Sequence, residues 1–126
     1  MRSHRGSLTS KVKESLFSVY GEQNLPPINT NSSPTEIYKW KALSSVKKCF
    51  DNLFKPINDD IKDSYISRIL GKVWNDYNNA PMLHVAFAIS VCYTILNPAI
   101  EHITIDESIM DLVNKYLVSI TKYYKI

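Results

Sequence analysis

No charged residue stands between Ala80 and Leu96. Met82, Leu83, Val85, Phe87, Ile89, Val91, Cys92, Tyr93, Ile95 and Leu96 surround this stretch on every side, so as a helix it has no polar face. Such a helix is either the centre of a bundle or a membrane span. Its 17 uncharged residues are at the bottom of the range of ~17–25 needed to span, and His84, Ser90 and Thr94 interrupt them. The segments on either side are amphipathic, which fits a buried central helix and not a span. Pro81 opens it and Asn97-Pro98 closes it, with a short link through Ile103.

A central helix needs others to cover it, and the chain supplies amphipathic stripes at helical spacing. Lys11 to Tyr20 reads as a short helix, capped by Ser10 and stopped at Gly21, with Val12, Leu16, Val19 and Tyr20 near one face. Residues 22–33, rich in turn formers and carrying Pro26-Pro27, read as a long loop. Ser33-Pro34-Thr35-Glu36 is a capping box with proline at the first helical position, and the helix it opens is expected to run to Lys55, before Pro56. Trp40, Leu43, Val46, Phe50, Leu53 and Phe54 share one arc of that helix; Lys41, Lys48 and Lys55 line the other side. A second start is read at Asn58-Asp59-Asp60, with Ile66, Ile69, Leu70, Val73, Trp74 and Tyr77 as its stripe through to Asn78. The last helix opens at the capping box Thr104-Ile105-Asp106-Glu107 and carries Ile109, Val113, Tyr116, Leu117, Ile120 and Tyr124 on one side. No alternating segment is long enough to count as a strand. The expected fold is therefore all-α: one compact bundle of four main helices plus a short N-terminal helix around the apolar one.

Composition agrees with one ordinary core. The chain has 126 residues, 44% of them apolar and 21% charged, a balance far from that of disorder. Residues 11–126 are read as the domain and 1–10 as a flexible basic N-terminus or an expression remnant; no apolar run follows it to make a secretory signal. A net charge of +3 neither requires nor excludes nucleic acid or a membrane surface. Cys49 and Cys92 lie in helical stretches without metal-ligand spacing, which points to two reduced, buried thiols and an intracellular, reducing compartment, cytoplasmic or nuclear. Abundant Asn, Ile, Lys and Tyr beside only 3 glycines suit an AT-rich genome, such as that of a parasite or a large DNA virus.

Residues that could carry catalysis are few. Glu101-His102 with Asp106 and Glu107 gathers carboxylates and an imidazole at one helix start, where a general base or a metal could be assembled. Capping accounts for Glu107 and the helix dipole for Asp106, however. His84 on the apolar helix reads as a buried histidine bonded to backbone or a tyrosine hydroxyl, not as a ligand. Neither cysteine has a basic neighbour on its own helix face to lower its pKa, and no nucleophile elbow, zinc-protease helix, P-loop or dinucleotide turn is present.

Two surfaces remain. Ile37, Tyr38 and Val118 are apolar residues outside the stripes, and a groove between helices packed on an apolar one is a common receptor for a partner's helix. Lys41, Lys48 and Lys55 recur every seven residues, ~10 Å apart on a helix, a spacing able to track phosphates. The expected function is a non-enzymatic protein–protein interaction module without cofactor or metal. It would bind a helix or extended segment of another protein in a surface groove through Ile37, Tyr38 and Val118. The alternative is a nucleic-acid-binding accessory domain using Lys41, Lys48 and Lys55. A homodimer is a further outcome, since a stripe read as core could equally be an interface.

Overall fold

A computed structural model of the chain describes residues 4–29, 31–57, 60–74, 80–103, 105 and 109–124, with side chains described for all of these except 4–7, 56–63 and 119–124. Among the described residues the fold is a helical bundle with a small two-stranded antiparallel sheet.

The first helix, α1, spans His4–Tyr20, so helical structure begins seven residues before the expected Lys11 and takes in most of the basic N-terminus. Leu8 extends the stripe of Val12, Leu16 and Tyr20 by one further turn at a spacing of four and packs on the core, which explains the longer helix. Gly21 ends it as expected, at φ 80, where a side chain would be strained. The 22–33 segment is held against the core: Leu25 is buried, and Trp40 Nε1 donates to the Pro26 carbonyl at 2.9 Å.

The helix expected from Ser33 to Lys55 is two helices, α2 over Pro34–Lys41 and α3 over Ser44–Asn52. The Ser33–Glu36 capping box forms as read. The break falls at Ala42 and Leu43, where Leu43 is extended at φ −61 and ψ 139, with no proline or glycine to announce it. A straight helix would hold Lys41 opposite the core; the bend turns it inward. Leu43, at the bend, and Phe54, beyond the end of α3, are about half-exposed, although Trp40, Val46 and Leu53 are buried as the arc implied.

The next element corrects the expectation of a helix start at Asn58-Asp59-Asp60. Strands β1 (Pro56–Ile57) and β2 (Asp60–Ser64) pair antiparallel, with Pro56 opposite Ser64 and Ile57 opposite Asp60. Only then does α4 begin, over Tyr65–Val73. Its cap is Ser64, whose hydroxyl accepts from the Ser67 amide while Ser67 Oγ accepts from the Ser64 amide. Ile66, Ile69, Leu70 and Val73 are buried as their spacing implied; Tyr77 and Asn78 lie outside the described residues.

The apolar helix is α5, over Met82–Leu96, and from Val85 to Leu96 every residue but Tyr93 is buried. The last helix, α6, covers Ile109–Tyr124; its expected capping box at Thr104–Glu107 falls mostly outside the described residues. Early residues of α6, Met110 and Val113, face the same hollow as Leu83 and Phe87 of α5, and Tyr116 meets Tyr93 further along. The two helices therefore run in the same sense. Between them the chain turns back at Asn97–Ile103. With α1, α3 and α4 also packed on it, α5 is the centre of the bundle. Among the described residues no helix is long and apolar enough to cross a membrane.

Candidate functional site

The two ends of α5 differ. At its N-terminal end a cleft of about 350 Å³ lies between Leu8 of α1, Trp74 just after α4, Leu83, His84 and Phe87 of α5, and Met110 and Val113 of α6. It forms because the first turn of α5 projects past its neighbours: Met82, Leu83 and His84 are exposed, and burial begins only at Val85. Leu83 is 48% exposed. His84 and Trp74 bring the ring nitrogens of the described lining, and His84 stands at the rim and not in the interior as its place on the apolar helix implied. A cleft so lined receives apolar groups; among the described residues its lining holds no pair of titratable groups in reach of each other to move a proton.

At the C-terminal end the chain is closed by a charge. Lys41, at the end of α2, is 2% exposed, and its Nζ donates to the carbonyls of Thr94 at 2.8 Å, Asn97 at 3.0 Å, Ile100 at 2.7 Å and His102 at 2.8 Å. The local sequence sets those carbonyls. Thr94 is in the last turn of α5, whose carbonyls have no helical donor to meet. Asn97 accepts from the Ala99 amide through its side chain at 2.9 Å and from the Ile100 amide through its backbone at 3.1 Å, so Asn97-Pro98-Ala99-Ile100 makes a tight turn around the ammonium. Burial pushes the Lys41 ammonium down to about 8, which leaves it mostly charged at neutral pH.

This placement corrects the lysine line. Lys48 and Lys55 are exposed, but Lys41 is interior, because the bend at Ala42 and Leu43 takes it off their face. Of the residues expected to meet a partner, Ile37 is buried at 5% exposure, while Tyr38 at 73% and Val118 at 67% are open to solvent. None of the three lines the cleft. The cleft residues were missed because Met82 and Leu83 read as more of the apolar helix; the usable signal was that they are its first turn, directly after Pro81. No signal marked Lys41.

A second hollow, about 320 Å³, is lined by Tyr20, Asn24, Ser44, Ser45, Lys48, Cys49, Asn52 and Tyr65. Its polar groups are engaged within the fold: the Tyr20 hydroxyl donates towards the Cys49 carbonyl at 2.9 Å and Asn52 Oδ1 at 3.1 Å, and Cys49 Sγ towards the Asn24 carbonyl at 3.3 Å. Burial raises the Cys49 thiol to about 11 and the Cys92 thiol to about 12. Both are therefore neutral thiols at physiological pH, without nucleophilic character. Glu101 is exposed and His102 half-buried, with the His102 carbonyl on Lys41; Asp106 and Glu107 lie outside the described residues. Among the described residues no group of His, Cys, Asp and Glu could hold a metal ion.

No family model, no curated protein and no solved structure matches this chain.

Proposed function

We propose that the protein is a non-enzymatic interaction module that takes apolar side chains of a partner's amphipathic helix into the cleft at the N-terminal end of α5. The observation that carries this reading is Leu83: a leucine half-open to water on the wall of an apolar cleft, next to exposed Met82. A volume near 350 Å³ is at the small end of the ~300–1,000 Å³ typical of ligand pockets, a size suited to one or two anchoring side chains. A helix presents such anchors three or four residues apart. The two buried, unpaired thiols suit a reducing compartment.

The test is a displayed library of helical peptides selected on the protein and counter-selected on Leu83→Asp. Selected peptides should carry paired apolar anchors, shift amide signals around Leu8, Phe87 and Met110, and bind the variant at least about 30-fold more weakly, as loss of a ~2 kcal/mol contact implies. Their affinity should change little between low and high salt. Peptides that bind both forms equally would remove the cleft reading. The alternative, phosphate contact by the lysine face, retains Lys48 and Lys55. Oligonucleotide binding that falls steeply with salt and is lost on changing those two residues to Gln would favour it instead.

A further inference from the structure

An ammonium has three protons to donate, and four carbonyl oxygens stand 2.7 to 3.0 Å from Lys41 Nζ. All four belong to one stretch, Thr94 to His102, which leaves α5 and curls round a point occupied by a cation from another helix. In channels, rings of backbone carbonyls replace the water around a monovalent ion in the same manner. The distances here exceed those of calcium, about 2.3–2.6 Å, and magnesium, about 2.0–2.1 Å, and the set includes no carboxylate to balance a divalent charge. The carbonyls of the last turn also carry the negative end of the α5 dipole.

We propose that the backbone of residues 94–102 is a binding site for a primary ammonium, and that Lys41 is its tethered occupant, locking α2 onto the turn from which the chain goes on to α6. The proposal rests on this geometry and not on the cleft. Lys41 is a positioning residue. Without the Lys41 side chain the carbonyls gathered here lose the donor they share, and the turn opens. Emptied of the side chain but not of its space, the site should accept a free ammonium of the missing length.

Removing Lys41 beyond Cβ leaves out Cγ, Cδ, Cε and Nζ, the atoms of n-propylammonium, which makes that ion the probe. Lys41→Ala should melt roughly 10 °C below the unaltered protein, since a buried and fully bonded charge is lost. Adding n-propylammonium chloride should restore about half of that loss in a saturable manner, while equal tetramethylammonium chloride, which cannot donate, should restore none. Lys41→Met, whose side chain fills the space without charge, should lose stability and gain nothing from n-propylammonium. Equal melting of Lys41→Ala in the two salts, or equal recovery by Lys41→Met, would overturn the proposal. The unaltered protein supplies an independent measurement should Lys41→Ala fail to fold: a ¹⁵N-labelled sample should show one side-chain ammonium that exchanges with water slowly enough to be seen at neutral pH. It should disappear in Lys41→Met and persist in Lys48→Gln. A spectrum with no such signal, or with one that survives Lys41→Met, would overturn the proposal on its own.

Discussion

The first and last turns of α5 belong to one apolar helix, yet one is open and the other sealed. At the first turn the amides of Met82, Leu83 and His84 have no acceptor within the helix, but these residues stand exposed beside a cleft, where water can meet them. At the last turn the carbonyls do demand partners, and being interior they cannot take them from water. Lys41 answers them. Unmet polar groups force closure at one end of a helix, whereas uncovered apolar side chains at the other cost less and can be kept for a partner.

The largest effect that would test this comparison is on the shared middle. Phe87 is buried and also floors the cleft, and Phe87→Ala should cost about 3–5 kcal/mol in denaturant unfolding, through lost transfer energy and the cavity left. A variant that keeps its midpoint would remove α5 from the centre of the bundle. Next is the sealed end. Lys41→Met should cost about 3 kcal/mol, the order expected for buried carbonyls left unpaired, and hydrogen exchange should speed up first at Ala99 and Ile100, whose amides hold the turn.

Alkaline pH sharpens the contrast between buried acids and the buried base. Burial raises Cys49 to about 11, Cys92 to about 12 and Tyr116 to about 12, each above its ordinary value. A raised acid favours folding while it is neutral, so this stability is complete below pH ~9 and is lost as pH climbs towards 12. Lys41 has the opposite slope: its folded value near 8 is below the ordinary 10.5, so its proton leaves the folded state first and stability from this group rises across that interval. Unfolding midpoints measured from pH 8 to 12 should thus fall above about pH 9, and fall more steeply in Lys41→Met. A midpoint unchanged to pH 12 would mean that the thiols are not buried.

The smaller effects come from positions that support each end. Ser33→Ala removes the cap of α2, the helix that delivers Lys41, and should cost about 1 kcal/mol by thermal melting. Leu83→Asp at the open end should change stability by no more than about 0.5 kcal/mol while abolishing peptide binding. If it unfolded the protein, the first turn of α5 would be core after all.

Much of this architecture was legible in the residues. The Ser33–Glu36 box, Gly21 and the pair Pro81 and Asn97 act within a few residues of themselves, so their helix ends fall where read. Stripes such as Ile66, Ile69, Leu70 and Val73 are buried because spacing alone selects a face. The failures have one cause in common. Asp60 to Ser64 carries a single apolar residue and so no alternation, and its pairing partner is the two-residue strand Pro56–Ile57. The break at Ala42 and Leu43 leaves no local trace, since each residue there could continue a helix. Of the surface residues singled out, Tyr38 and Val118 are open and Ile37 is not.

Caps, stops and apolar spacing therefore settled the helical class, the central place of α5 and the helix ends at Tyr20, Pro34, Met82 and Leu96, because those effects act over one or two turns of chain. Where Lys41 goes, and with it the bend between α2 and α3 and the sealing of α5, was decided only when carbonyls more than fifty residues away were brought together. A lysine on a helix reads as a solvated charge until the fold presents it with four carbonyl acceptors, and no periodicity in a single chain encodes that meeting.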